Sequence, residues 1–182
     1  MSRPGQCRDV ASLQTMSAQQ WPDDVRTLAI DIGGSGFKAA ILDPEGAMLT
    51  ERVRIDTPYP VPPEKFVSAV LDLTKDLGEH HRVTVGFPGL VRNGRVRNIP
   101  SLTRAAYDGD TDPRLEEQWL DFDLAAALTE AFGVPTKVAN DADVQGCAVV
   151  EGQGFEFVMT LGTGVGTAMF LDGRLLPHIN AG

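Results

Sequence analysis

Thr27-Leu28-Ala29-Ile30-Asp31-Ile32-Gly33-Gly34-Ser35-Gly36-Phe37-Lys38-Ala39-Ala40-Ile41-Leu42 sets two short apolar runs around four small residues. Each run is shorter than an ordinary helix and is bounded by turn residues, so both read as strands. The first is mostly apolar and predicts a strand buried on both faces. Gly33 to Gly36 reads as the tight turn of a hairpin. Asp43-Pro44-Glu45-Gly46 makes the next turn and residues 47–55 give a third strand. The ordered chain therefore opens with an antiparallel meander.

Downstream the period changes. Phe66, Val67, Val70, Leu71, Leu73 and Leu77 fall largely on one side of a helix that starts at Pro63 or Glu64 and ends at Gly78. Residues 82–87 read as a buried strand that runs into Gly86-Phe87-Pro88-Gly89. Residues 90–120 read as irregular, and their acidic part, from Asp108 to Asp123, as a solvated loop. Asp123 caps a helix over 124–132 that Gly133 closes. A strand follows over 136–139, and Asn140-Asp141 opens a helix to about residue 150, with Cys147 expected in the core. Strands at 156–161, 166–171 and 174–176 complete the pattern. The sum is an α/β fold with a mixed sheet and helices on its faces over residues 26–152. Residues 1–25 read as a polar, mobile tail with Met16 as a candidate start, and residues 153–182 as the first strands of a second, incomplete domain.

Composition narrows the function classes. Among 182 residues, 16 Lys and Arg face 25 Asp and Glu, a net charge of −9, the wrong sign for a duplex-binding surface. Cys7 and Cys147 stand far apart and form neither a zinc motif nor a disulfide scaffold, which favours a reducing compartment. No apolar stretch is long enough to span a bilayer. The expectation is a cytoplasmic protein with neither nucleic acid nor membrane as partner. His80-His81 reads as a solvated helix end beside Glu79.

The opening hairpin has an echo at an offset of 129 residues. Asp31-Ile32-Gly33-Gly34-Ser35 aligns with Thr160-Leu161-Gly162-Thr163-Gly164, and Ala39 to Asp43 aligns with Ala168 to Asp172. Gly-rich hairpins leave backbone N–H groups uncovered, which suits a phosphate chain between them; a shared strand-Gly-strand grammar is the plainer reading. The second copy has few residues left in which to complete a domain, so its strands are expected to expose apolar faces and an unpaired edge.

Four segments, Asp31 to Lys38, Gly86 to Gly89, Asn140-Asp141-Ala142-Asp143 and Leu161 to Gly166, resemble in order and spacing the ROK family of sugar kinases, and within it the polyphosphate/ATP-dependent glucokinases. The resemblance implies an actin-like (ribonuclease H-like) kinase with a sugar cleft between two domains. It would pass a phosphoryl group from ATP or polyphosphate to the 6-hydroxyl of glucose. It implies Asp141 as the base, where a helix start favours the ionised form, with a plain N-cap as the alternative. Asn140, Gly86, Pro88, Gly89 and Asn98 are the expected sugar-binding residues, with Ser101 a further candidate. Gly33, Gly34, Ser35, Gly162, Thr163 and Gly164 would serve the phosphates, as would Lys38 unless it is a solvated side chain. Asp31 would hold Mg²⁺ through water, or else form an Asx-type turn. A homodimer is expected.

The end of the chain departs from the family pattern. Kinases of this family continue with an acid and a histidine in an E-x-G-H pattern, whereas here Asn180 stands in the acid's place and the histidine is missing. Impaired turnover is therefore expected of this chain by itself. A non-catalytic sugar-binding remnant or sensor on the same fold is the alternative. A DNA-binding regulator is opposed by the short polar N-terminus and by the charge.

Overall fold

The computed structural model describes residues 21–161 and 165–176. Thr27–Ile32 (β1) and Phe37–Leu42 (β2) pair antiparallel, and Val53–Ile55 (β3) adds to β2. Pro63–Thr74 (α1) crosses over to Arg82–Phe87 (β4), which lies parallel to β1. After Leu90–Arg92 (β5), Arg95–Asn98 (β6), Pro113–Trp119 (α2) and Leu124–Phe132 (α3), the chain returns as Thr136–Asn140 (β7), parallel to β4. The mixed sheet has the order β3-β2-β1-β4-β7. Asp141–Cys147 (α4) then leads to a second, antiparallel sheet of Phe155–Leu161 (β8), Val165–Leu171 (β9) and Arg174–Leu175 (β10).

One face of the large sheet carries the core. Leu28, Ile30 and Ile32 of β1 and Val83, Val85 and Phe87 of β4 pack under Phe66 and Val70 of α1, with Trp119, Leu124 and Leu128 beside them. Phe66 sits with ring centroids 5.5 Å from Phe37, 5.9 Å from Phe87 and 5.4 Å from Trp119, so the few aromatics of the chain are concentrated here. Trp119 buries its ring and keeps its indole N–H satisfied by the Val61 carbonyl at 2.8 Å. No helix among the described residues is long and apolar enough to cross a membrane.

Several elements differ from the sequence reading, each for a local reason. β1 is fully buried on one face only: Ala29 is half-buried and Asp31 exposed, because only α4 approaches that face among the described helices. The third strand shortens to Val53–Ile55, because the Thr50 hydroxyl accepts the Ile41 N–H that a strand carbonyl would take. Residues 90–120 are far from irregular. Asn93 and Gly94, with φ of 52° and 79°, make the two-residue turn that joins β5 to β6. Asp112 accepts the Arg114 N–H and caps α2, with Pro113 at its first position.

Three acids of this stretch, Asp112, Asp121 and Asp123, are placed rather than merely solvated, while Asp108, Asp110, Glu116 and Glu117 are exposed as expected. Asp123 caps α3 and pairs with Arg95, and Asp121 pairs with Arg95 and Arg97. Two helices, α1 and α4, are shorter than expected. α1 ends at Thr74, whose hydroxyl bonds back to the Val70 carbonyl, and α4 ends at Cys147, where bonds tighten to Gln145 and Gly146. Cys147 is exposed, not core, because α4 packs Ala142 and Gly146 against β9 and turns Cys147 away. His81 accepts the Arg26 N–H at 2.9 Å and His80 packs edge-on against Phe132, so neither is simply solvated. Order reaches back before Arg26, with Val25 buried and Trp21 stacked on the Arg82 guanidinium at 5.3 Å. The tail expectation for residues 1–20, and the departures at His178 to Asn180, lie outside the described residues.

Candidate active site

The C-terminal ends of β1, β4 and β7 meet the first turn of α4, and the site is built at that junction. Asn140 ends β7 and caps α4: its side-chain oxygen accepts the Ala142 N–H at 2.9 Å, while its amide donates to the Gly89 carbonyl at 3.0 Å. One side chain thus fixes the helix start and holds the Gly86-to-Gly89 loop against it. A Cβ on Gly89 would collide with the carbonyl oxygen of Asn98, so glycine is required there for the β6 end to approach. Gly86, by contrast, has only ordinary contacts around such a Cβ, the nearest at 3.7 Å to Asp141.

Asp141 is the first residue of α4 rather than its cap, and its carboxylate accepts the Ala142 N–H at 2.8 Å. Burial pushes this carboxyl above its ordinary value. The Ala142 N–H pulls it down, and the nearby carboxylates of Asp31 and Asp143 raise it further. Asp141 lines two cavities at once. The smaller, about 290 Å³, lies on the open face of the large sheet with Asp31, Lys38, Thr84 and Gly86. The larger, about 620 Å³, is the cleft between the two sheets, with Gly33, Gly34, Ser35, Pro88, Gly89, Asn98, Ser101 and Asn140 on its walls.

Most expected site residues are therefore brought together, with two reassignments of geometry. Asp31 does not form an Asx-type turn; it accepts from Lys38 at 3.0 Å across the β1–β2 pair. Lys38 is spent on that pair and lines the smaller cavity, away from the Gly33–Gly34 turn. In the turn itself, the Gly33 N–H is taken by the Gly36 carbonyl at 3.0 Å, while a Cβ on Gly34 would find nothing nearer than 3.5 Å. Gly162, Thr163 and Gly164 lie outside the described residues, between the paired ends Leu161 and Val165.

Sequence reasoning missed the residues that hold the turn in place. The Thr57 hydroxyl donates to the Gly33 carbonyl at 2.7 Å. The Tyr59 hydroxyl lies 3.0 Å from the Gly34 carbonyl and 2.9 Å from the Ser101 carbonyl, so its one proton is shared between two acceptors. Burial pushes the Tyr59 phenol up, opposed by the Arg104 guanidinium. Arg104 and Tyr107 also line the large cleft, as does Gln145. No local pattern marks these residues, since Tyr59 sits in a proline-rich loop and Arg104 in a stretch without periodicity.

Comparison with known proteins agrees with this architecture. The family described as ROK matches residues 27–178. Polyphosphate glucokinase from Mycobacterium tuberculosis is 27% identical over 161 residues, covering 84% of this chain and 56% of that protein. N-acetylmannosamine kinase from Escherichia coli is 31% identical over 155 residues, covering 82% of this chain and 49% of that protein. The crystal structure of an inorganic polyphosphate/ATP-glucomannokinase from Arthrobacter sp. strain KM superposes with a TM-score of 0.71 at 34% identity, covering 86% of this chain and 62% of that one. The chain spans about half the length of the curated relatives it matches.

Proposed function

The chain belongs to the ROK family and has its actin-like α/β fold, and from that premise we propose that it phosphorylates a hexose at the 6-hydroxyl, in the manner of a glucokinase, with polyphosphate or ATP as donor. The observation that carries this reading is Asp141: a partly buried carboxyl, raised above its ordinary value, facing a cleft walled by a Gly-rich turn on one side and the Gly86-to-Gly89 loop on the other. The similarity to sugar kinases, polyphosphate glucokinases among them, supports the substrate class.

Asp141 accepts the proton of the attacking hydroxyl. A carboxylate raised by burial is the better base for that task, because it lies nearer the working pH. The Ala142 N–H holds the oxygen in place while the proton moves. Pro88, Gly89 and Asn98 form the wall on which the sugar lies, with Asn140 fixing that wall to the base. Asn140 has one amide hydrogen left for a hydroxyl once its bond to Gly89 is made. Gly34 and Ser35 face the phosphates. Among the described residues no group of three His, Cys, Asp or Glu side chains is placed to hold a metal. The donor set still fits Mg²⁺, which takes one or two carboxylates and fills its shell with water and substrate phosphate. Asp31, half-exposed and close enough to Asp141 to raise it, is the residue that would hold the ion. The ion would offset phosphate charge as the bond shifts.

The test is Asp141→Asn with glucose and either donor. Loss of the base is expected to lower turnover on the order of 10²–10⁴-fold while the sugar dissociation constant stays within about twofold. Wild-type protein that binds glucose with no turnover on either donor marks the sugar-binding remnant instead. Self-association as a homodimer belongs to the same reading, supported by the exposed apolar face of β8 and β9. Sedimentation equilibrium at the mass of two chains is the expected result.

A further inference from the structure

Phosphate-transferring clefts need positive charge, and this chain carries a net −9 with an aspartate at the centre of its cleft. Lys38, the cation that local sequence offers, is paired with Asp31 and lines the smaller cavity rather than the large cleft. Among the described residues lining the large cleft, Arg104 is the one Lys or Arg side chain. Among the described residues it belongs to no ion pair, and the one side-chain hydrogen bond it makes there is a long contact, 3.5 Å, to the Tyr107 carbonyl.

The root of Arg104 is held firmly. Leu102 and Thr103 just before it are buried to 0% and 1% exposure. The Thr103 hydroxyl donates to the Ile99 carbonyl at 2.9 Å, and the Thr103 carbonyl accepts from Asp112 N–H at 2.6 Å. Arg104 itself bridges to Thr111. Through Tyr59, whose hydroxyl reaches both Ser101 and Gly34, this loop is tied to the Gly-rich turn. The guanidinium is also near enough to act on the Tyr59 phenol. The backbone that carries this planar, permanently charged fork is thus held firmly and tied to the glycine turn, while the guanidinium lines the cleft.

We propose that Arg104 is a phosphate-binding residue of this cleft, which takes a phosphoryl group of the donor or of the phosphorylated sugar. This rests on the kinase reading for its ligand but not for its geometry. A guanidinium matches phosphate oxygens two at a time, which an ammonium cannot do.

Calorimetric titration of the full chain with inorganic tripolyphosphate, glucose 6-phosphate and glucose separates the possibilities. In Arg104→Ala, binding of at least one phosphate ligand is expected to weaken on the order of tenfold to a hundredfold, with glucose affinity unchanged. Arg104→Lys is expected to fall between, since it keeps the charge and loses the fork. An effect on tripolyphosphate assigns the residue to the donor; an effect on glucose 6-phosphate alone assigns it to the transferred group. Equal phosphate affinities in wild type and Arg104→Ala, or no phosphate binding by wild type, overturn the proposal. If tripolyphosphate binding depends on Arg104 but glucose does not bind, the anion site stands and the hexose-kinase reading falls. Because the side chain is part-exposed and makes only one long bond, matching thermal unfolding of the two proteins is expected and checks that the fold is intact.

Discussion

In the first hairpin, Leu28, Ile30 and Ile32 of β1 are at most 3% exposed, whereas in the second Phe157, Met159 and Leu161 of β8 are 52–78% exposed. Both hairpins form on the same local signals: an apolar run, a glycine turn, and a second run closed by an Asp turn. What differs is the layer above them. α1 brings Phe66 and Val70 down onto the first, while α4 covers only the inner face of the second, where Ala168 and Phe170 are buried. Pairing differs too. Ile32 pairs with Phe37 across four residues, but Leu161 pairs with Val165 across three, so the second register slips by one residue against the sequence echo. A one-residue slip reverses which side chains share a face. Local grammar makes a hairpin; its register and its burial are set by its neighbours.

That contrast is open to measurement. Phe66→Ala removes the ring that touches Phe37, Phe87 and Trp119 and is expected to cost about 3–5 kcal/mol in denaturant unfolding. A cost under about 1 kcal/mol would mean that the first hairpin is no better supported than the second. Gly166→Ala tests one attachment of the second hairpin to α4, since a Cβ there meets the Thr160 hydroxyl at 2.5 Å and the Ala142 methyl at 2.7 Å. A loss of about 1–3 kcal/mol is expected from that overpacking, and an unchanged midpoint would show that the sheet swings free of α4.

Asp141, which stands between the two hairpins, gives a pH signature. Its carboxyl holds a proton more tightly in the folded chain than in the unfolded one, so stability is full at low pH. It falls as pH rises from the ordinary carboxylate value near about 4 through the raised folded value. Asp141→Asn removes that slope. The variant is expected to melt above wild type at neutral pH and level with it below about pH 4; a constant gap across the range contradicts the assignment. The smallest effect belongs to Phe157→Thr on the exposed face, where stability should move by no more than about 0.5 kcal/mol while any self-association weakens.

The sequence was readable wherever short-range chemistry decided the outcome. Asp123 capping α3 and Gly133 closing it were visible as residue types at the right spacing. So were the strand that leads into Asn140 and the helix that follows it, although the cap proved to be Asn140 rather than Asp141. The β5–β6 hairpin is also written in the chain, as Asn93-Gly94 between apolar residues, but the arginines around it hide the strand pattern. The proposed site was legible in its glycines and in Asp141, but not in what holds them. Tyr59 and Ser101 are 42 residues apart, and only folding shows that they meet at one hydroxyl.

The sequence by itself therefore determined the elements of the large sheet with α1, α3 and α4, their order and the family, because these rest on periodicity, capping and motif spacing within a few residues. Tertiary structure alone decided which hairpin is buried, that Lys38 is taken up by Asp31, and that Arg104 stands in the cleft. The reason is physical: burial and charge pairing depend on distances between segments that are remote in sequence, and a linear pattern carries no record of them.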